Sequence, residues 1–318
     1  MPSERALIDA FLSRFDAPGR RAQLAAGDDC AVLPPSKDAL CVTTDALVER
    51  VHFTLPAFSL EDVGHKALAV NLSDLAAMGA APAWFVCAIA MPRSYGRREV
   101  TRLAKGMAAL ARTHGIALVG GNFTAAAELS LTLTAAGHTQ PGQALTRAGA
   151  KAKDLLYVSG TLGDARVGLR ALAEGRGRSA LARRQRRPTP RVGLGLLARR
   201  FASAAIDLSD GLGADLGHLC RASGVGARVA MEALPLSGAL LEQTGSVEAA
   251  RQEAARGGED YELLLAVPAA RARAFEMAAR RAGERVTRVG ALTSGRAVRF
   301  GTPGRRAVAP PPGHDHFG

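Results

Sequence analysis

The sequence contains few of the residues that build disulfide frameworks, zinc sites and nucleic-acid surfaces. Four cysteines occur among 318 residues, far apart and without a CxxC pair, so we expect small apolar core residues in a reducing compartment, the cytoplasm. Aromatic residues make up 4% of the chain, too few for the stacking platforms of a protein that binds single-stranded nucleic acid.

Common catalytic and targeting motifs are also missing. The chain contains no GxxxxGK[ST] phosphate loop, no HExxH zinc motif and no GxSxG nucleophile motif. Residues 1–15 carry charges throughout, so they are predicted to form an amphipathic helix and not a signal peptide. The most apolar stretch, residues 67–92, is interrupted by Asn71, Asp74 and Pro82, so no membrane span is predicted.

The charge balance raises nucleic-acid binding as a hypothesis. The chain has 41 Lys and Arg against 29 Asp and Glu, a formal net charge of +12, and an isoelectric point near 10.5. The arginines are dispersed except in residues 181–191. We therefore expect a solvated basic face that also suits anionic substrates, and no nucleic-acid partner.

Composition and periodicity predict a two-domain α/β protein, with domains at 1–148 and 149–318. Hydrophobic residues make up 47% of the chain, the mean hydropathy is +0.04, and 318 residues are too many for one small core. Apolar runs and helical spacing in the first half predict the order strand–helix–strand–helix–strand–strand. These elements are an apolar run at 39–44, helices at 60–79 and 99–115, and strands at 84–92, 115–121 and 129–137.

The second half is predicted to alternate strands and helices as well. Its predicted elements are a strand within 149–160, a helix from Gly163, a strand at 204–210, a helix at 211–224, a strand at 261–268, a helix at 269–283 and a final strand at 285–292. The segment 175–191 is rich in glycine, arginine and proline, and is predicted to be a loop or mobile connection.

Four segments place carboxylates at the end of an apolar run or inside one. They are "GDD" (27–29), "TTD" (43–45), "NLSD" (71–74) and "DLSD" (207–210). Taken singly, an aspartate in such a place is also typical of a helix N-cap or a turn. Four together indicate a magnesium and phosphate site, because Mg²⁺ prefers oxygen ligands and binds through carboxylates and substrate phosphates. Asp74 fits the structural alternative least, because its neighbours are apolar on almost every side.

Three further residues are candidates for binding phosphate or substrate. In "GGEDYELLLAVP" (257–268) two glycines allow a close turn and place Glu259 at the entrance of a strand, although solvated acids in a hairpin turn have the same pattern. His52 lies beyond Asp45, where a donor could face a phosphate, but a single histidine is also a common packing residue. Arg147 could hold a phosphate through two hydrogen bonds.

These motifs occur in the order found in a known family. "GDDCAVL", "VTTDALVERVHF", "KALAVNLSDLAAMGAAPAW", "ALTRAGAKAKD", "SGTLGDA", "AIDLSDGL", "GGEDYEL" and "HDHFG" together resemble the thiamine-monophosphate kinases, within the aminoimidazole-ribonucleotide synthetase-like superfamily. The resemblance implies ATP-dependent phosphorylation of thiamine monophosphate to thiamine diphosphate, assisted by several Mg²⁺ ions. It also implies a two-domain α/β fold and a homodimer whose N-terminal domains build a shared barrel-like sheet. ATP and substrate are then expected in the cleft between the domains.

The resemblance assigns roles to individual residues. The implied metal ligands are Asp29, Thr43, Thr44, Asp45, Asp74, Asn122, Asp207 and Asp210. The implied ATP contacts are Arg147, Ser209 and Gly121, and the implied substrate contacts are His52, Glu259 and His314. No general base is expected, because the attacking phosphate oxygen is ionised at neutral pH and in-line transfer needs positioning and charge neutralisation.

Two departures from the family pattern leave other hypotheses open. "GGNFT" stands where the family has "GGDTT", so Asn122 replaces a magnesium-binding aspartate and we expect weaker affinity at that metal position. His314 replaces the aromatic residue expected before "DHFG", and its imidazole is expected to stack less well on the substrate. One alternative is a related enzyme that acts on another phosphorylated or amidine-like substrate. The other is a nucleic-acid-binding or degenerate non-catalytic protein that uses its basic surface.

Overall fold

The computed structural model describes residues 3–17, 19–23, 25–26, 30–301, 307–311 and 313. Contacts divide the chain into two compact units: Met1–Leu75 with Ala80–Gly142, and Ala76–Gly79 with Gln143–Gly318. This division and the predicted boundary at 148/149 both fall in the connection at 140–154. Within the described ranges, no helix combines the length and the apolar character needed to cross a membrane.

The first unit is built on a four-stranded sheet. Its elements in chain order are α1 (Glu4–Leu12), β1 (Ala39–Val48), α2 (Leu60–Ala77), β2 (Ala81–Met91), α3 (Arg97–His114), β3 (Ala117–Ala125) and β4 (Ser130–Thr139), with the end of α2 counted in the second unit. The strand order is β1-β4-β2-β3, and only the β2–β3 pair is parallel. The predicted order of strands and helices from β1 to β4 is confirmed.

Helices α2 and α3 touch through their backbones. A Cβ added at Gly64 would lie 2.1 Å from the carbonyl oxygen of Leu103, and one added at Gly106 would lie 1.9 Å from that of Glu61. Only glycine permits so close an approach. Helix α2 is buried around most of its circumference, so a carboxylate on it needs a polar partner from a neighbouring element.

The sheet of the first unit has one covered and one open face. Phe85, Cys87 and Ile89 of β2 are buried, whereas the residues between them are more open. On β1, Leu40 and Val42 project from the open side and are 50% and 56% exposed. The open face therefore carries apolar side chains in contact with solvent.

The second unit is built on a six-stranded sheet with the order β10-β7-β9-β5-β8-β6. Its strands are β5 (Leu155–Ser159), β6 (Ala204–Asp207), β7 (Gly226–Ala230), β8 (Leu263–Val267), β9 (Val286–Thr293) and β10 (Val298–Gly301). Its helices are α4 (Asp164–Ala173), α5 (Ala180–Arg186), α6 (Val192–Ala198), α7 (Leu212–Ser223), α8 (Gly238–Thr244), α9 (Val247–Arg256) and α10 (Ala272–Arg281). Strand β8 is buried along its whole length, which accounts for its continuous apolar sequence.

Two predictions for the second unit are wrong. The segment 175–191 contains helix α5, which begins after Ser179, whose Oγ accepts a hydrogen bond of 3.1 Å from the N–H of Ala182. The many arginines of this helix made the segment look like a loop, although one face of the helix, which includes Leu181 and Gln185, is buried. Strand β9 is also not the final strand, because the four-residue β10 follows it. The prediction further omitted β7, α6, α8 and α9.

Candidate active site

The first unit places two carboxylates face to face beside a threonine hydroxyl. Side chains alternate along a strand, so Thr43 and Asp45 project from the same side of β1. Asp74 of α2 reaches this side, and its Oδ2 accepts a hydrogen bond of 2.5 Å from Oγ1 of Thr43. Burial, together with the charge of Asp74 and a hydrogen bond to it, raises the pKa of Asp45 to about 7. The pair therefore resists carrying two negative charges at neutral pH.

This arrangement suits a divalent cation. The three side chains offer oxygen donors, which Mg²⁺ prefers, and a cation would offset the repulsion that raises the pKa of Asp45. In the part of the chain that the structure describes, no three His, Cys, Asp or Glu side chains come together as a metal site. Asp29, the predicted ligand from "GDD", lies outside the described residues.

Thr44 and His52 have other surroundings. Thr44 projects from the opposite side of β1, and its Oγ1 donates a hydrogen bond of 3.0 Å to the carbonyl oxygen of Leu133, so its hydroxyl is not brought to the acidic pair. His52 lies in the turn after β1, where its Nδ1 accepts a hydrogen bond of 3.1 Å from the N–H of Val48. In the neutral ring this bond leaves the proton on Nε2, a nitrogen that can donate to a phosphate oxygen.

Gly121 and Asn122 lie on β3, at the other edge of the sheet. Two strands separate β1 from β3, which corresponds to roughly 14 Å at the usual strand spacing. Asn122 is exposed, and its Nδ2 donates a hydrogen bond of 3.2 Å to Oγ1 of Thr124. A Cβ at Gly121 would lie 2.3 Å from the carbonyl oxygen of Cys87, so glycine is needed for β2 and β3 to pair here. Gly121 also lines a cavity of about 610 Å³.

In the second unit, "DLSD" and "GGEDYE" run side by side beyond the paired ends of β6 and β8. The N–H of Glu259 donates to the carbonyl oxygen of Ser209 at 2.7 Å, and the N–H of Tyr261 donates to that of Leu208 at 2.9 Å. These bonds continue the antiparallel pairing of the two strands. The structure thereby brings four predicted site residues to one end of the sheet: Asp207, Ser209, Asp210 and Glu259.

The backbone around Glu259 is held in an unusual conformation. Glu259 and Tyr261 have φ angles of 63° and 50°, in the left-handed region that non-glycine residues rarely occupy. A Cβ at Gly258 would lie 2.8 Å from the carbonyl oxygen of Ser209, so the preceding position requires glycine. Strain of this kind costs on the order of 1–3 kcal/mol per residue and is concentrated at functional sites. The conformation of Glu259 therefore favours a functional role for its side chain.

Asp215 belongs to this site and is not among the predicted residues. Its Oδ2 accepts hydrogen bonds from the N–H groups of Asp210 and Gly211, at 3.1 and 3.0 Å, where α7 begins. Burial and the charge of Asp210 raise its pKa to about 7, while these two bonds and the positive charge of Arg147 act in the opposite direction. Asp215 could have been predicted from the sequence, because it is an acidic residue in the first turn of the helix that follows "DLSD".

Asp260 has a structural partner. It is 1% exposed, and its two carboxylate oxygens accept hydrogen bonds from the N–H groups of Gly163 at 2.6 Å and Ala165 at 3.0 Å, at the start of α4. Burial raises its pKa to about 7, although both hydrogen bonds act to lower it. Asp260 thus joins the acidic segment to the first turn of α4.

Glu262 is held by two arginines. It is completely buried, accepts hydrogen bonds of 2.6 Å from both Nε and Nη2 of Arg191, and forms a further ion pair with Arg184. Its Oε2 also accepts a hydrogen bond from Oγ of Ser159. Of the three acids in "GGEDYE", Glu259 is the one that is half-buried, whereas Asp260 and Glu262 are buried.

The described end of the chain returns to the "DLSD" loop. A Cβ at Gly313 would lie 2.4 Å from Cβ of Ala214 and 3.0 Å from the carbonyl oxygen of Asp210. A Cβ at Gly213 would lie 2.7 Å from the carbonyl oxygen of Pro311. His314, the predicted substrate contact, follows Gly313 in sequence and lies outside the described residues.

Both halves of the chain match models of protein families. Residues 27–139 match the AIR synthase related protein, N-terminal domain, and residues 151–302 match the AIR synthase related protein, C-terminal domain. Thiamine-monophosphate kinase from Salmonella typhimurium is 40% identical over 322 residues, which cover 99% of this chain and 98% of that protein.

Solved structures give the same result. Thiamine-monophosphate kinase from Stenotrophomonas maltophilia K279a has a TM-score of 0.86 and 43% identity, covering 94% of this chain and 96% of that chain. AaThiL complexed with AMPPCP and TMP has a TM-score of 0.78 and 32% identity, covering 99% of this chain and 97% of that chain. The predicted two-domain α/β fold is thereby confirmed, and the chain belongs to the thiamine-monophosphate kinase family.

Proposed function

We propose that this protein transfers the γ-phosphoryl group of ATP to thiamine monophosphate and releases thiamine diphosphate and ADP. The observation that carries the proposal is the 40% identity to a thiamine-monophosphate kinase along 99% of this chain. AaThiL was solved in complex with AMPPCP and TMP, and we take ATP and thiamine monophosphate as the corresponding substrates here.

We further propose that the acids of both units hold Mg²⁺. The ligands would be Asp29, Thr43, Asp45, Asp74 and Asn122 in the first unit, and Asp207 and Asp210 in the second. Thr44, which the family resemblance also implies, is left out because its hydroxyl projects from the opposite side of β1 and donates to the carbonyl oxygen of Leu133. Bound Mg²⁺ would neutralise charge on the phosphates during transfer. The oxygen donors around Asp45, and the raised pKa that burial and Asp74 produce there, support this assignment.

Arg147, Ser209 and Gly121 are proposed to contact ATP. Arg147 lies close enough to the start of α7 for its positive charge to act on the pKa of Asp215, so this end of the unit offers a cation to a phosphate. The backbone of Ser209 is fixed by the hydrogen bond from the N–H of Glu259.

Glu259, His52 and His314 are proposed to contact thiamine monophosphate. The thiazolium ring of this substrate carries a permanent positive charge, which a carboxylate such as Glu259 attracts. Nε2 of His52 can donate to the substrate phosphate. The substrate phosphate is already ionised at neutral pH, so these side chains need to orient it for in-line attack and no residue has to remove a proton.

A homodimer is part of the proposal. Leu40 and Val42 lie exposed on the open face of the first unit, and Asp45 and Asn122 lie at opposite edges of its sheet. A second copy that builds a shared barrel-like sheet would enclose this apolar face and place the β3 edge of one chain beside the β1 edge of the other. Light scattering should give twice the chain mass of 33.0 kDa, and the mass of a single chain would contradict the dimer.

The test of the function is a direct assay. The purified protein is incubated with ATP, Mg²⁺ and thiamine monophosphate, and the products are separated by chromatography. Thiamine diphosphate formed in step with ADP supports the kinase. ADP without thiamine diphosphate would favour a related enzyme that acts on another phosphorylated or amidine-like substrate, the alternative that the Asn122 and His314 departures leave open. Binding to nucleic acid that weakens steeply with salt, without turnover, would favour the non-catalytic alternative.

The cytoplasmic location stays a prediction.

A further inference from the structure

Helix α5 supports the segment that carries the substrate carboxylate. We call residues 257–262 the acidic loop. Arg184 of α5 donates from Nη2 to the carbonyl oxygen of Asp260 at 3.1 Å and also pairs with Glu262. The next residue, Gln185, donates from Nε2 to Oε2 of Glu259 at 2.5 Å. Consecutive residues of one short helix therefore hold the backbone and two side chains of the acidic loop.

Gln185 is more deeply buried than its hydrogen-bond partner Glu259. Gln185 is 1% exposed, whereas Glu259 is half-buried. The Oε1 atom of Gln185 is buried and has no hydrogen-bond partner among the described residues. A buried acceptor without a partner costs about 1–3 kcal/mol, so this orientation of the amide is not explained by the packing of α5 alone.

The orientation of the amide follows from the charge of Glu259. An ionised carboxylate only accepts hydrogen bonds, so it requires Nε2 of Gln185 and would repel Oε1. Hydrogen bonds to ionised groups are shorter and about twice as strong as those between neutral groups. The contact to Glu259 thus outweighs the hydrogen bond that Oε1 lacks.

We propose that Gln185 is a positioning residue, which holds the Glu259 carboxylate in the direction that binds thiamine monophosphate. The inference rests on the proposed function of Glu259 as a substrate contact. A glutamate side chain loses rotational freedom when it binds a ligand, and a fixed donor on one oxygen removes part of that loss in advance. The carboxylate of Glu259 would then meet the cationic substrate in a single orientation.

The first test replaces Gln185 by methionine, which has a similar length and no N–H donor. We expect KM for thiamine monophosphate to rise about tenfold, which corresponds to about 1.4 kcal/mol, with KM for ATP unchanged within about twofold. Leu181→Ala is the matched control, because Leu181 is buried on the same helix and packs against another cluster. This control should lower the midpoint of thermal unfolding and leave KM for thiamine monophosphate unchanged. An equal rise of KM in the control would overturn the proposal.

The second test asks whether Gln185 acts through Glu259. In the Glu259→Ala background, Gln185→Met should no longer change KM for thiamine monophosphate, because the carboxylate that Gln185 orients is gone. An effect of undiminished size in that background would show a general packing role and reject the inference. If Gln185→Met does not fold, Gln185→Asn withdraws the amide by one methylene and is expected to give the same pattern.

The outcomes separate this inference from the proposed function. A wild-type protein that makes no thiamine diphosphate overturns the function and the inference together. Normal wild-type kinetics with no effect of Glu259→Ala on KM for thiamine monophosphate rejects Glu259 as a substrate contact, and with it the role of Gln185. A clear effect of Glu259→Ala with none of Gln185→Met overturns the inference alone.

Discussion

The facing acids Asp45 and Asp74 of the first unit and the acids Asp260 and Glu262 of the second unit have different hydrogen-bond partners. In the first unit Asp45 faces Asp74, and burial together with this second acid raises the pKa of Asp45 to about 7. In the second unit the buried Glu262 is held by Arg184 and Arg191, and Asp260 accepts two backbone hydrogen bonds. A buried acid that is matched by donors of its own chain supports the fold. Two acids that face each other instead suit a cation from outside the chain.

The largest expected effect tests the facing pair. Asp74→Asn should reduce kcat by roughly a thousandfold or more, about 4 kcal/mol of transition-state stabilisation, because a metal ligand loses its charge. The midpoint of thermal unfolding should not fall, since the repulsion between Asp74 and Asp45 disappears and the amide oxygen can still accept from Thr43. Steady-state kinetics and calorimetry measure both quantities.

Asp38→Asn serves as the control for Asp74→Asn, because Asp38 is an exposed acid of the same unit and its loss should leave both quantities unchanged. Substantial turnover in Asp74→Asn would reject Asp74 as a metal ligand. The facing pair would then be a structural pair, and the contrast between the two units would disappear.

The matched acids should behave in the opposite way. Glu262→Gln leaves two partly buried arginines without their anion, which is expected to cost about 3–5 kcal/mol of unfolding free energy. Urea denaturation measures this loss. Glu248→Gln, which changes an exposed acid of α9, should be nearly neutral. A variant Glu262→Gln as stable as the wild-type protein would mean that the arginines are not held in place by this charge.

A smaller effect concerns pH. The pKa of Asp260 is raised from its ordinary value of 3.8 to about 7, chiefly by burial. Between these values the folded chain retains a proton that the unfolded chain releases, so the contribution of Asp260 to stability is complete below pH 3.8 and is lost as the pH rises through about 7. Asp260→Asn removes this titration. Compared with the wild-type protein, the variant should gain up to about 4 kcal/mol in relative stability between pH 4 and pH 8, measured by urea denaturation. If the difference in unfolding free energy between Asp260→Asn and the wild-type protein stayed constant with pH, the raised pKa of Asp260 would be contradicted.

The acids of the first unit could be found from the sequence, whereas the contacts that hold the acids of the second unit could not. Asp45 and Asp74 stand out in the sequence because apolar residues flank them, and periodicity located α2, β2, α3, β3 and β4. Side chains alternate along a strand, so Thr43 and Thr44 are expected to face opposite sides of β1. The family resemblance implied both threonines as metal ligands and did not distinguish them.

Contacts between distant segments leave no periodic signal. Gln185 meets Glu259 across 74 positions, and Ser159 meets Glu262 across 103. The short helix α5 is stabilised by such contacts, and its many arginines and adjoining prolines favoured a loop. Strands β7 and β10 have only five and four residues, and 71 positions separate the paired residues Ala227 and Val298, so no local pattern marks these strands.

The smallest expected effect concerns the position where this chain departs from its family. Asn122 lies on β3, at the edge of the sheet opposite to Asp45, and offers Mg²⁺ an amide oxygen without charge. Asn122→Asp should lower the Mg²⁺ concentration for half-maximal activity by roughly threefold to tenfold, because added ligand charge strengthens binding of a hard cation. It should leave the unfolding free energy nearly unchanged, since Asn122 is exposed and donates only to Thr124 in the described structure. Thr124→Ala removes that acceptor without adding charge and should not change the Mg²⁺ requirement. An unaltered requirement in Asn122→Asp would place β3 outside the metal site and leave the pair of Asp45 and Asp74 as the metal-binding feature of the first unit.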